Sequence, residues 1–172
     1  MDSPLGGLTL VGNDGALAGV YFTGHRNRPR PERLGRLAPA GFAEPVRQLG
    51  EYFAGRRTAF ELELDTHGDA FDRRVWALVA AIPYGQTRSY GQLARELGDP
   101  GLAQQVGVAN ARNRLCIVVP CHRVVGAGGK LTGYAGGLAR KRALLELEAP
   151  APAGRLSDAA SHVPAAADVD RM

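Results

Sequence analysis

The residues of this chain with the clearest chemical potential are a thiol and an imidazole side by side, Cys121 and His122. They follow an apolar, β-branched run, Leu115-Cys116-Ile117-Val118-Val119, which reads as a buried strand stopped by Pro120, because proline cannot continue a sheet ladder. A thiol at the end of such a strand is held by a rigid scaffold. A neighbouring imidazole can help ionise it, and the thiolate, not the thiol, is the nucleophile. A small buried cysteine beside a surface histidine would account for an arbitrary Cys-His pair. It accounts poorly for Pro120-Cys121-His122-Arg123-Val124-Val125 together with the residues around it.

The elements that must position this turn can be read in order. Gly7 to Val11 and Ala16 to Phe22 flank Asn13-Asp14-Gly15, a hairpin turn signal. His25 to Arg33 is basic and proline-containing and reads as a solvated surface loop, since no aromatic or structured element accompanies its charges. A helix is predicted from about Phe42 to Phe53 with a stripe of Phe42, Val46, Leu49 and Phe53, and a third strand over Phe60 to Leu64. A further helix, Phe71 to Ile82, makes Trp76 a packing residue. Ser89-Tyr90-Gly91-Gln92 is a capping-box pattern opening a short helix to about Leu97. Asp99 and Pro100 then start a second helix, from about Gly101 to Ala111, so the pair is a helix-turn-helix candidate. Its face of Ala103, Val106, Gly107, Val108 and Ala109 is small and apolar, suited to close backbone approach and not to reading base edges. Val124 to Thr132 reads as a glycine-rich hairpin and Gly133 to Gly137 as a flexible loop. Leu138 to Glu148 reads as a last helix with Leu138, Leu144, Leu145 and Leu147 inward.

The expected fold class is α+β. A small N-terminal sheet-plus-helix domain (1–68) precedes a mostly helical C-terminal domain (69–150) with the helix-turn-helix and the cysteine, followed by a disordered Ala-, Pro- and Asp-rich tail (151–172). A length of 172 residues allows a real core. The net charge of +4 favours an acidic partner such as nucleic acid, a balance many unrelated proteins share. Two cysteines make no disulfide framework, and a working thiol needs a reducing compartment. No apolar run is long enough to span a bilayer, and Met1 to Gly6 lacks the basic and apolar regions of a secretory signal, so a cytoplasmic location and no membrane partner are expected.

The motif Pro120 to Val125 resembles the active-site signature of the O6-alkylguanine-DNA alkyltransferases. The resemblance runs from about Phe71 to Glu148, through Ser89-Tyr90-Gly91-Gln92-Leu93-Ala94, Asn113, Gly133-Tyr134-Ala135-Gly136-Gly137 and Leu144-Leu145-Glu146-Leu147-Glu148, in the family's order and spacing. It implies irreversible, single-turnover transfer of an alkyl group from O6-alkylguanine, and from O4-alkylthymine, in duplex DNA to Cys121, with no cofactor. His122 would be the base, bridged to Cys121 by a water and oriented by Glu148, and Asn113 would tie down the cysteine turn. Tyr90 would bond the guanine ring nitrogen and help rotate the flanking phosphate, and Tyr134 would wall the base pocket under a closing loop, Leu131 to Gly136. The carbonyls of Cys121 and Val124 would accept from the exocyclic amine, and the Ala135 amide would donate to O6. Ser89, Ala103, Gln104, Gly107, Asn110 and Arg123 would meet DNA as the base flips out. The N-terminal domain would support the other and hold no chemistry. Without a cysteine there, the thiolate-rich zinc site of some relatives cannot form, and no metal is expected.

Two positions depart from the pattern: Gln104 stands where the family inserts an arginine into the gap left by the base, and Asn110 where some relatives have an apolar wall. The expected state is a monomer, with cooperative assembly on DNA left open. Three other readings are a non-catalytic lesion-binding relative, which usually replaces the reactive cysteine; a helix-turn-helix regulator, disfavoured by the small-residue helix; and a cysteine hydrolase, which would turn over.

Overall fold

The hairpin forms as expected. In a computed structural model, which describes residues 1–150, β1 (Leu8–Asn13) pairs antiparallel with β2 (Ala16–Phe22), in register Leu8 to Phe22, with a bulge at Val11/Gly12. The two-residue turn needs positive φ at both positions, and Asp14 (46°) and Gly15 (91°) supply it. The tail expected at 151–172 lies outside the described residues.

The helix α1 (Ala43–Phe53) buries Gln48, Leu49 and Tyr52, whereas Val46 is exposed. The inward face is thus rotated from the expected stripe and carries a polar group. Gln48 explains why Phe60 to Leu64 is not the expected strand. Its side-chain amide donates to the Glu61 carbonyl (3.0 Å) and accepts from the Glu61 amide (2.9 Å), doing for that residue what a neighbouring strand would do. Only Leu64 bridges the sheet, parallel to Leu17.

The second half is helical. Asp69 caps α2 (Ala70–Ala80) by accepting from the Asp72 amide, and Trp76 packs as expected, its indole donating to the Ala109 carbonyl (2.8 Å). The two-residue strand β3 (Arg88–Ser89) leads into α3 (Tyr90–Glu96) through a complete capping box. The Ser89 hydroxyl accepts from the Gln92 amide (3.1 Å) and the Gln92 side chain accepts from the Ser89 amide (2.7 Å). Gly98, at φ 98°, turns the chain. Asp99 accepts from the Gly101 amide, and a 3-10 turn feeds α4 (Ala103–Ala111). The residues after the cysteine form no hairpin. Instead β4 (Val124–Val125) pairs parallel with β3, and Gly126 to Lys130 closes as a tight turn. The last helix, α5 (Leu138–Glu148), buries Lys141, Leu144 and Glu148 and leaves Leu138 about half exposed. One continuous core joins both halves. Leu17, Val20 and Phe22 of the hairpin and Leu49 and Tyr52 of α1 meet Val75, Val79, Leu93, Val106, Ile117 and Leu144. Each such side chain, fully withdrawn from water, contributes roughly 1.5–3 kcal/mol. Among the described residues no helix is long and apolar enough to cross a membrane.

Candidate active site

The segment before the cysteine is buried as expected but is a turn and not a strand. Only Leu115 bridges the sheet, next to Val20. The chain then folds back: the Val119 amide bonds the Leu115 carbonyl (2.8 Å), the Val118 amide the Cys116 carbonyl (2.9 Å), and the Cys121 amide the Val119 carbonyl (2.8 Å). Ile117 sits at φ 74°, a conformation β-branched residues rarely adopt, at a cost of order 1–3 kcal/mol. Asn113 holds this turn from inside, its side chain accepting from the Leu115 amide (2.9 Å) and donating to the Val119 carbonyl (2.9 Å).

Cys121 opens a 3-10 turn and is 4% exposed. Its thiol is pulled below its ordinary range by the adjacent Cys116 thiol first. Burial works the other way, and the Asn113 amide and the Lys141 charge reinforce the lowering. His122 makes no hydrogen bond to this sulfur. Its ring is fully buried, with Nε2 on the Glu148 Oε1 at 2.8 Å. Burial lowers the His122 pKa and Glu148 only partly restores it, so the resting ring is neutral. A neutral ring that donates from Nε2 leaves Nδ1 unprotonated, and Nδ1 has no hydrogen-bond partner among the described residues. That nitrogen is free to take a proton.

Glu148 is the hub of the buried polar group. It is 2% exposed and accepts from Tyr52 (2.7 Å), His122 (2.8 Å), the Gly85 amide (3.3 Å) and, bidentately, Arg123 (2.8 and 2.9 Å). Burial alone would raise its pKa, but the His122 and Arg123 hydrogen bonds outweigh that and hold it down to about 2. Arg123 was expected at DNA. It is instead 6% exposed, with its guanidinium on Glu148 and the Ile82 carbonyl (2.6 Å), because a buried carboxylate requires a buried cation.

A cavity of about 190 Å³ opens beside Cys121, bordered by Tyr90, Gly107, Asn110, Asn113, Tyr134 and Ala135 among others. Tyr90 and Tyr134 therefore face the site that the sequence assigned them to. Asn110 corrects its DNA-facing assignment: it is 5% exposed and turned inward, donating to the Cys121 carbonyl (3.2 Å). The Val124 carbonyl accepts from Lys141 Nζ (2.6 Å), which also reaches the Thr132 carbonyl (2.7 Å) and pins the loop around Thr132 to the segment that follows Cys121. Burial lowers the Lys141 pKa to about 8, opposed by Cys121. On α4, Gln104 is exposed and Ala103 and Gly107 are partly so, and Ser89, at the start of α3, is also partly exposed.

Lys141, Cys116 and His25 were missed from the sequence. Lys141 lies in one helical stripe with Leu144 and Glu148, a signal hidden when only apolar residues are counted. His25 belongs to the loop read as solvated, yet it is 5% exposed with Nε2 3.2 Å from the Cys116 sulfur. The same loop is tied down by the Arg26 amide on the Ala135 carbonyl (3.0 Å) and the Asn27 side chain on the Ala111 carbonyl (2.6 Å). His25, Arg26 and Asn27 of the N-terminal half thus border the cavity.

A buried cysteine of lowered pKa beside a small cavity, next to a helix-turn-helix, defines a protein built for a covalent step on a nucleic acid held at that motif. Comparison with known proteins agrees. Residues 1–66 match the 6-O-methylguanine DNA methyltransferase ribonuclease-like domain and residues 70–150 its DNA-binding domain. The methylated-DNA--protein-cysteine methyltransferase of Mycolicibacterium paratuberculosis is 53% identical over 149 residues, 86% of this chain and 89% of that one. The crystal structure of Mycobacterium tuberculosis O6-methylguanine methyltransferase superposes with a TM-score of 0.80 at 50% identity, covering 90% of this chain and 93% of that one. That of M. tuberculosis OGT in complex with DNA gives 0.81 at 50%, covering 86% and 90%. The chain belongs to the methylated-DNA--protein-cysteine methyltransferase family.

Proposed function

We propose that the protein repairs DNA by taking the alkyl group of O6-alkylguanine onto Cys121, once per molecule. The single observation that carries this reading is the placement of Cys121, with a lowered pKa, on the wall of a cavity shared with Tyr90, Tyr134 and Asn110. The thiol proton leaves to His122 Nδ1 across a solvent bridge, and Glu148 stabilises the resulting cation. The sulfur attacks the alkyl carbon, the S–C bond forms as the C–O6 bond breaks, and the electron pair leaves with guanine, whose ring nitrogen accepts a hydrogen bond from the Tyr90 hydroxyl; the released base takes a proton from solvent as His122 gives its own back. The thioether does not hydrolyse, so no turnover follows.

The cavity of about 190 Å³ is smaller than the roughly 300 Å³ that opens the usual range of small-molecule sites, which favours methyl over bulky substituents. Damaged duplex DNA is the partner, approached by the exposed Gln104 and the small Ala103 and Gly107 of α4, with Ser89 at the start of α3. The two free thiols suit a reducing, cytoplasmic compartment. The test is to incubate wild type and Cys121→Ser with duplex DNA carrying radiolabelled O6-methylguanine. The label is expected in wild-type protein alone; label on both proteins, or on neither, refutes the reading.

A further inference from the structure

We propose that Cys116 and His25 are positioning residues for the nucleophile, forming a one-way chain of donors from the Asn27 amide through the His25 ring and the Cys116 thiol to the Cys121 sulfur. This rests on the reading of Cys121 as the alkyl acceptor and gives the N-terminal half a part in that chemistry.

The direction of the first two links is fixed by elementary hydrogen-bond bookkeeping, and the third, from Cys116 to Cys121, is the inferred one. The Asn27 backbone amide donates to His25 Nδ1 at 3.2 Å, so that nitrogen carries no proton. Burial, with help from the Arg140 charge, lowers the His25 pKa to about 4, and the ring is neutral at physiological pH. A neutral ring with a bare Nδ1 carries its proton on Nε2, which lies 3.2 Å from the Cys116 sulfur and donates to it. With its sulfur accepting from His25, Cys116 has its own S–H left to give, and Cys121 borders the same cavity. A donor aimed at a sulfur favours the thiolate there and disfavours it on the donor. The two thiols split in that sense, Cys121 lowered and Cys116 raised.

The anchoring of this chain is tertiary. Cys116 and His25 are 91 residues apart, and the His25 loop is clasped by Asn27 on the Ala111 carbonyl and by the Arg26 amide on the Ala135 carbonyl. The Tyr21 ring packs edge-on against the His25 ring, with centroids 5.4 Å apart. The other groups around Cys121 are Asn113 of its own turn, Lys141 of α5, Tyr134 of the closing loop and Tyr90 of α3. Of these, Tyr134 lines the cavity together with Cys116, and its buried hydroxyl has no hydrogen-bond partner among the described residues. Lys141 lowers Cys121 without passing through Cys116, so part of the thiolate stabilisation survives loss of the chain.

The test is the pH profile of single-turnover methyl transfer to Cys121 from duplex DNA carrying O6-methylguanine, for wild type, C116A, C116S, H25A and H25Q. Loss of one donor to a thiolate should move the inflection of C116A up by about one pH unit, about ten-fold less transfer at neutral pH, with the alkaline plateau unchanged. C116S restores a donor and should bring the inflection back towards wild type. H25A should shift it in the same direction as C116A, and H25Q, which keeps a side-chain N–H donor, should shift it less. The proposal is overturned if C116A follows the wild-type profile, if C116S shifts as far as C116A, or if neutral rate and alkaline plateau fall together. If C116A does not fold, the H25A profile decides, and an unshifted inflection there overturns the chain. Absence of any methyl on wild-type Cys121 would instead sink the functional reading itself.

Discussion

Replacing Glu148 with glutamine preserves shape and removes one charge from a crowded, buried polar site. Oε1 accepts from Tyr52, His122 and Arg123 Nη2, and a glutamine oxygen can still do so. Oε2 accepts from Arg123 Nε at 2.8 Å and the Gly85 amide at 3.3 Å, and there glutamine presents an NH₂ group to two donors. Arg123 is then buried beside a neutral partner. Held at about 2 against an ordinary 4.5, the carboxylate contributes roughly 3 kcal/mol at neutral pH, taking about 1.4 kcal/mol per pH unit. Breaking a buried pair by removing one member costs a similar ~3–5 kcal/mol. In a chain of this size ~3 kcal/mol lowers Tm by about 6–12 °C. The sign with pH follows from the direction of the shift. A carboxyl whose folded pKa is depressed stabilises fully above its unfolded value of 4.5, and the contribution fades as pH falls towards 2. Urea unfolding of wild type and Glu148→Gln should therefore differ by about 3 kcal/mol at neutral pH and converge as pH drops below about 4. A difference below about 1 kcal/mol, or one that does not change with pH, would refute the hub role.

Lys141→Met leaves the Val124, Thr132 and Gly133 carbonyls without their ammonium donor. It should cost about 2–4 kcal/mol in urea unfolding and raise hydrogen exchange over Leu131 to Gly136. Gln104→Arg adds a cation to the exposed face of α4 and should tighten duplex binding, steepening its logarithmic salt dependence by about 0.9; fluorescence anisotropy across a salt series measures both. Trp76→Phe removes the bond to the Ala109 carbonyl and should lower stability by about 1–2 kcal/mol in thermal melts, leaving the rate of methyl transfer per folded molecule unaltered.

What the sequence disclosed was mostly local chemistry. The hairpin turn at Asp14-Gly15, the capping box of Ser89 and Gln92 and the Asp99 cap each involve residues within a few positions of one another, and each forms as read. Failures came where particular side-chain contacts or backbone strain override the pattern. Leu115 to Val119 has strand composition, but Asn113 and the strained Ile117 make it a turn. Phe60 to Leu64 alternates like a strand, yet Gln48 of α1 takes up the Glu61 backbone. At the site, motif spacing brought Cys121, Asn113, Tyr90 and Tyr134 to the cavity and His122 to Glu148. Motif spacing could not show that Arg123 and Asn110 turn inward, because burial is a property of the packed molecule. Nor could it join His25 to Cys116, which only the docking of the two halves brings together.

The most direct test of the central claim is the stoichiometry and location of the transferred group. Wild-type protein is mixed with excess duplex DNA bearing O6-methylguanine, and the peptide Leu115 to Arg123 is fragmented by mass spectrometry. The account predicts a plateau of one lesion repaired per molecule, with one added methylene mass on Cys121 and none on Cys116. Repair continuing past one equivalent, or a methyl group on any other residue, would contradict it.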